Sequence, residues 1–267
     1  LARADDCFVE SRGASGYAVA PAAAPRVWTS DSIRVMEADV SGDLRTKRTW
    51  DAVRTPADVF HLLYTHSGYT AWMGVQVVKN HFDMARYVGL IAKLRPGCII
   101  ETGGQRGGSA LFFMNVLDTF GLTKSLVVSV DSSGGWDERV VQYGHPVALL
   151  RRDCLAQEAI EAVRVLREEA EAHSGRAPLI VSLDSVHTED HVWRELELYA
   201  PLCRPGDYLV VEDTDHSGHP IMSDYGPSAW HAVQRFLASD APFVADDEIE
   251  RAYGPITASP SAWLRRV

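Results

Sequence analysis

From about residue 56 onward, two hydrophobic rhythms alternate along the chain. Short apolar runs at 98–100, 126–130, 147–150, 179–183 and 208–211 have the length and β-branched content of buried strands. Between them, apolar positions three and four residues apart predict helices over 56–63, 82–94, 109–120, 155–172 and 189–202, and from 226 through 236. In the second of these, Met84, Tyr87, Val88, Ile91 and Leu94 share one face, while 155–172 sets Ile160, Val163 and Leu166 against a run of solvated Glu and Arg. Alternation of strand and helix predicts an α/β fold around a parallel sheet. Turn residues at Gly254-Pro255 and Ser259-Pro260 predict a closing β-hairpin after residue 243. Before residue 56 the rhythm is lost, and the Ala-, Gly- and Pro-rich stretch 11–25 reads as a loop or arm.

Composition narrows the function. The 267 residues carry 26 Lys and Arg against 36 Asp and Glu, a formal charge of −10, which speaks against a nucleic-acid binder. No apolar run reaches the roughly 20 residues of a membrane helix. The first residues lack the basic start and apolar core of a leader, and Cys7, Cys98, Cys154 and Cys203 show no C-x-x-C spacing. The expectation is a soluble, cytoplasmic protein with reduced, mostly buried thiols.

Strand ends carry the chemistry. In parallel sheets ligands bind beyond the carboxyl ends of the strands, and those ends are Glu101, Asp131, Asp184 and the pair Glu212-Asp213. After Glu101 comes the glycine-rich turn Gly103-Gly-Gln-Arg-Gly-Gly-Ser109. It is not the dinucleotide fingerprint, because Gln105 and Arg106 stand where G-x-G-x-x-G demands glycine, and it is not a P-loop. An acid followed by such a turn resembles the first motif of class I methyltransferases, which holds S-adenosylmethionine (SAM). A tight strand–helix turn with no ligand has the same appearance. Asp131 is placed to accept from ribose hydroxyls, or to cap a helix.

Asp184, Glu212 and Asp213 would converge at neighbouring strand ends, where three carboxylates repel one another unless a cation lies among them. An all-oxygen set suits Mg²⁺, with Ca²⁺ or Mn²⁺ as alternatives; the bland reading is one acid capping a helix and another bonding an Arg. His187, three residues past Asp184, is a candidate general base, with His216 and His219 as weaker substrate contacts. Tyr69, Trp72, Trp136 and Tyr225 are candidates to stack on a ring, or core residues.

Taken in order, Trp72-Met73-Gly74, Glu101-Thr102-Gly103, Arg106-Gly107-Gly108-Ser109-Ala110, Leu183-Asp184-Ser185, His187-Thr188 and Tyr199-Ala200-Pro201 resemble the cephalosporin hydroxylase-like family. Leu209 through Thr214, Gly218-His219-Pro220 and Gly226-Pro227 continue the match, from about residue 68 to the end. That family includes rhamnosyl O-methyltransferases and is related to metal-dependent macrolide-sugar O-methyltransferases. The resemblance implies a Rossmann-like class I methyltransferase fold with a seven-stranded sheet, residues 1–67 forming an N-terminal extension to a domain spanning 68–267, and a homo-oligomer. It implies SAM contacts at Trp72, Gly74, Glu101, Gly103, Arg106, Ser109, Asp131 and Asp153. It also implies Mg²⁺ on Asp184, Glu212 and Asp213, with His187 at the position of the base. Two departures stand out: the doubled Gly103-Gly104, and Arg151-Arg152-Asp153-Cys154 where a run of small residues is expected.

The function so implied is methyl transfer from SAM to a deoxysugar hydroxyl in antibiotic or other secondary metabolism, on a free sugar nucleotide or a finished glycoside. The rivals are β-lactam hydroxylation or methoxylation of the cephalosporin type and a catalytically silent SAM-fold binding protein. A nicotinamide oxidoreductase is disfavoured by the failed glycine fingerprint.

Overall fold

A computed structural model describes residue 55 and residues 58–61, 70–254 and 256–267. Of the helix expected over 56–63, residues 58–61 are helical; its remainder, Tyr69 and nearly all of the expected extension 1–67 lie outside the described residues.

The described chain opens with a two-stranded ribbon, β1 (Ala71–Trp72) and β2 (Val75–Gln76). Its turn residues Met73 and Gly74 both have positive φ, 49° and 82°, the conformation that suits the right-handed twist of a two-residue hairpin. Next come α1 (His81–Leu94), β3 (Cys98–Thr102), α2 (Gly108–Thr119), β4 (Leu126–Val130), α3 (Glu138–Gln142) and β5 (Val147–Leu150). Then follow α4 (Gln157–Ser174), β6 (Leu179–Leu183), α5 (Glu189–Tyr199) with a 3₁₀ turn at Ala200–Leu202, and β7 (Tyr208–Val211). The chain closes with α6 (Ala229–Leu237), β8 (Phe243–Ala245), α7 (Asp247–Arg251) and β9 (Trp263–Arg266).

The main sheet has seven strands in the order β5-β4-β3-β6-β7-β9-β8. The first five are parallel, and β9 pairs antiparallel with both β7 and β8. Strands β3, β4, β6 and β7 are buried along their whole length, as strands covered on both faces must be. One apolar layer holds Leu166 of α4, Leu196 of α5 and Val233 of α6; the other holds Leu90 of α1, Phe113 of α2 and Trp263 of β9. The strand order reverses between β3 and β6, and this switch point puts Glu101 and Asp184 at the mouth of one crevice.

The five parallel strands, the long helices and the antiparallel carboxyl-terminal strands answer to the expectations. Helix α5 stops at Tyr199, earlier than the expected 202, because Pro201 cannot continue its hydrogen bonding and the chain tightens into the 3₁₀ turn. The closing strands are separated by α7 and a long loop, so they are not joined by a tight turn.

Candidate active site

Glu101 ends β3 and is buried; its Oε1 accepts from the Ser129 hydroxyl at 2.7 Å, and burial pushes its carboxyl upward. The turn after it is held by close packing. Gly103 has φ +76°, and a Cβ there would stand 1.9 Å from the Asp184 carbonyl oxygen, so the two crevice walls meet through its bare backbone. A Cβ on Gly104 would stand 2.0 Å from Ser129 Oγ, which accounts for the second glycine. A Cβ on Gly108 would stand 2.0 Å from the Gln76 carbonyl oxygen, so the β1–β2 ribbon lies against the start of α2. Trp72 of that ribbon packs edge-on against Phe112, with ring centroids 5.1 Å apart.

Asp131 gathers the facing loops. Its Oδ2 accepts from the Gln105 N–H at 2.8 Å, and its Oδ1 accepts from the Ser133 N–H at 2.8 Å, the Gly134 N–H at 3.2 Å and the Ser133 hydroxyl. Burial raises its pKa, but these four donors together outweigh it and hold the carboxyl below its ordinary range. Arg106 and Asp153 are exposed at the rim, where Asp153 Oδ1 accepts from the Leu155 N–H at 2.9 Å. Ser109 is buried in the first turn of α2.

On the other side of Gly103 the structure shows a residue that the sequence reading did not single out. Lys79 is buried, with 3% of its surface exposed, and its Nζ donates to Asp184 Oδ2 at 2.8 Å and to Glu212 Oε1. Burial disfavours its charge, yet Asp184, Glu212 and Glu101 outweigh burial and raise its pKa above the ordinary lysine range. Glu212 Oε1 also accepts from the hydroxyls of Tyr87 at 2.8 Å and Ser182 at 2.6 Å. Burial opposes the charge of Glu212, but Lys79 and these hydroxyls keep its carboxyl below the usual range. Asp184 is pushed well above that range by burial and by the Glu212 charge. One lysine thus serves the buried Glu212 and the partly exposed Asp184, and Asp184 bears the imbalance.

Asp213 follows at φ 54°, and its Oδ2 lies 3.4 Å from His187 Nε2, which is 4.0 Å from Asp184 Oδ1. Ligand atoms of Asp184, His187 and Asp213 all fall within 4.8 Å of one another. The trio Asp184, Glu212 and Asp213 does not close to that span among the described residues. Glu212 Oε1 is turned toward Lys79, Tyr87 and Ser182. The His187 imidazole stands beside Asp184 and Asp213 within that span, while Glu212 is engaged from behind by Lys79. His187 meets His216 edge-on at 5.8 Å, and His216 lies against Tyr225 at 4.9 Å, forming an aromatic wall beside the carboxylates. Asp215, also not anticipated, is buried, and burial followed by the Asp213 and Asp83 charges pushes its carboxyl up to about 9.

The donor chemistry fits a hard divalent cation. Three carboxylates face a single ammonium, the imbalance falls on Asp184, and both Asp184 and Asp213 keep partial exposure, 19% and 25% of their side chains, through which water can complete a coordination shell.

A seven-stranded sheet of this order, with acids at the strand ends around a glycine turn, defines a class I SAM-dependent methyltransferase. Solved structures of CmcI share the fold. A form with Mg and SAM superposes with a TM-score of 0.55 at 18% identity, covering 92% of this chain and 88% of that one. The apo form gives 0.55 at 21% identity, covering 92% and 91%. The family model described as Rhamnosyl O-methyltransferase/CmcI matches residues 64–267, and the chain belongs to that family. The rhamnosyl O-methyltransferase of Mycobacterium leprae (strain TN) is 32% identical over 209 residues, 77% of this chain and 86% of the relative. That of Mycobacterium tuberculosis (strain ATCC 25618 / H37Rv) is 32% identical over 201 residues, 74% and 78%. The protein is a SAM-dependent O-methyltransferase. No helix among the described residues is long and apolar enough to cross a membrane.

Proposed function

We propose that the protein methylates a hydroxyl of a deoxysugar on a secondary metabolite, an antibiotic glycoside or its precursor, with the help of Mg²⁺ or a similar ion. The acceptor class rests on the rhamnosyl O-methyltransferase relatives. The observation that carries the cation is the surplus of carboxylate over ammonium around Lys79, next to an imidazole.

Asp184 and Asp213 would hold the ion, with Glu212 Oε2 behind them. An ion held there would supply Lewis acidity and orientation to the acceptor hydroxyl. SAM brings the activated methyl group, and transfer breaks its S–CH₃ bond as the acceptor O–CH₃ bond forms. The protein's own part is alignment and proton removal. The glycine turn and Asp131 place the cofactor at the mouth of the crevice, with Trp72, Gly74, Glu101, Gly103, Arg106, Ser109 and Asp153 around it. His187 Nε2 takes the acceptor proton, and Tyr225, backed by the buried His216, packs against the sugar ring. Asp184 lies on the opposite side of Gly103 from the Asp131 loops, so the two functions separate along the crevice.

Asp184→Asn tests this reading. Turnover of a rhamnoside supplemented with Mg²⁺ is expected to vanish while calorimetric SAM affinity stays within a fewfold. Full turnover in the variant would remove the cation from the mechanism. Product mass separates the reaction from its rival, since methylation adds a methylene and hydroxylation adds an oxygen.

A further inference from the structure

A second set of metal-ligand chemistry lies where the β5–α4 loop meets α5. His191 and Glu195 stand one helical turn apart on α5, so both project from the same face. Cys154 comes to meet them from the loop: its Sγ is 3.5 Å from His191 Nε2, which also lies 2.9 Å from the Ser185 hydroxyl oxygen and 3.9 Å from Glu195 Oε2. One ligand atom from each of the three residues lies within 4.8 Å of the other two. Zinc bonds of about 2.3 Å to sulfur and 2.0–2.1 Å to nitrogen at a tetrahedral angle place those two atoms about 3.6 Å apart, the separation seen here.

A second observation points the same way. Glu195 is completely buried, at 0% exposure, and its two oxygens are treated differently. Oε1 accepts from the hydroxyls of Thr102 at 2.7 Å and Ser185 at 2.8 Å. Oε2, on the side of His191, has no hydroxyl or N–H donor, and the Cys154 thiol is what interacts with this carboxyl there. Buried carboxylate oxygens are ordinarily satisfied, and this one faces a thiol and an imidazole.

We propose that Cys154, His191 and Glu195 form a site for a zinc-class divalent cation, separate from the carboxylate centre and different from it in metal preference. Binding makes bonds from Sγ, Nε2 and Oε2 to the ion and releases the thiol proton to solvent. Water entering past His191, whose side chain is 20% exposed, fills the fourth position. Thiolate and imidazole favour Zn²⁺ over Mg²⁺, so the two sites load independently. The ion clamps the β5–α4 loop, which carries Asp153, onto α5.

Cobalt(II) reports the site without reference to methyl transfer. Chelator-stripped full-length protein titrated with Co²⁺ is expected to show a thiolate-to-cobalt charge-transfer band in the near ultraviolet at one equivalent. Zn²⁺ should erase the band, and excess Mg²⁺ should not. Cys154→Ser should lose it, His191→Gln should weaken cobalt affinity at least tenfold, and Asp213→Asn should leave it intact. If circular dichroism shows that Cys154→Ser does not fold, the partly exposed His191→Gln decides. No band in the wild type, a band that survives Cys154→Ser, or unchanged affinity in His191→Gln overturns the proposal.

Discussion

Replacing Lys79 with Met removes the ammonium from between Asp184 and Glu212 while nearly keeping its volume. Breaking a buried ion pair from one side typically costs about 3–5 kcal/mol, because the remaining charge is left uncompensated. The lower end applies here. Glu212 keeps the hydroxyls of Tyr87 and Ser182, and the Asp184 side chain retains 19% exposure through which water can reach it. A loss of about 3 kcal/mol corresponds to a fall in Tm of roughly 6–12 °C for a domain of this size. The assay is urea unfolding at pH 7 in chelator, read by circular dichroism. The pH dependence has a fixed sign: the native pKa of Lys79 is raised, so its stabilisation is complete below about pH 10.4 and fades only as pH rises through the native value. Mg²⁺ should restore more stability to Lys79→Met than it adds to the wild type, since the variant leaves more negative charge for the ion. Glu212→Gln combined with Lys79→Met should cost less than the sum of the single changes, as expected for residues in direct contact. A Lys79→Met protein within about 0.5 kcal/mol of wild type from pH 6 to 9 would refute the assignment of this lysine as the charge that holds the site together.

His187→Gln should lower kcat by about 10²–10⁴-fold with SAM affinity unchanged, and rising pH should recover part of the loss as the acceptor hydroxyl ionises unaided; a pH–rate profile in both proteins checks this. Gly103→Ala should cost roughly 2–4 kcal/mol, from a left-handed backbone and a Cβ driven into the Asp184 carbonyl oxygen, and should weaken SAM binding by calorimetry. Asp215 has a native pKa of about 9, above its unfolded value, so it subtracts stability as pH rises from about 4 through 9. Asp215→Asn should therefore gain on the wild type toward pH 8 in urea unfolding with chelator, and a gain equal at pH 5 and 8 would contradict the assignment. Burial pushes Cys98, Cys154 and Cys203 up to about 12, so a Cys7→Ser protein stripped of metal should resist iodoacetamide at pH 8 until urea is added.

The sheet was legible because parallel strands buried on both faces leave nearly continuous apolar runs, such as Leu126–Val130 and Leu179–Leu183, each of these two followed directly by an acid. Short elements were not. The ribbon β1–β2 and the five-residue helices α3 and α7 carry too few residues to set a period, and their stability comes from the surfaces they rest on. Lys79 escaped notice because a lone lysine ahead of a helix reads as solvated. A signal was present in the alternation of Val75, Val77 and Lys79, all buried at 1–3%, while Val78 between them is exposed: the lysine occupies an inward position of an extended segment. Converging carboxylates call for positive charge, and the chain itself supplies one in the Lys79 ammonium. Asp215 and the pairing of Glu212 with Lys79 depend on contacts between distant segments, which no local pattern encodes.

Cation-assisted methyl transfer to a sugar hydroxyl is tested by a single reaction run in two buffers. Purified protein, SAM and an alkyl rhamnoside with free vicinal hydroxyls are incubated with Mg²⁺ or with excess chelator, and products are weighed by mass spectrometry. A product heavier by one methylene is expected in Mg²⁺ and little or none in chelator. Equal methylation in both buffers would contradict the role assigned to Asp184 and Asp213, and a product heavier by one oxygen would contradict the reaction itself.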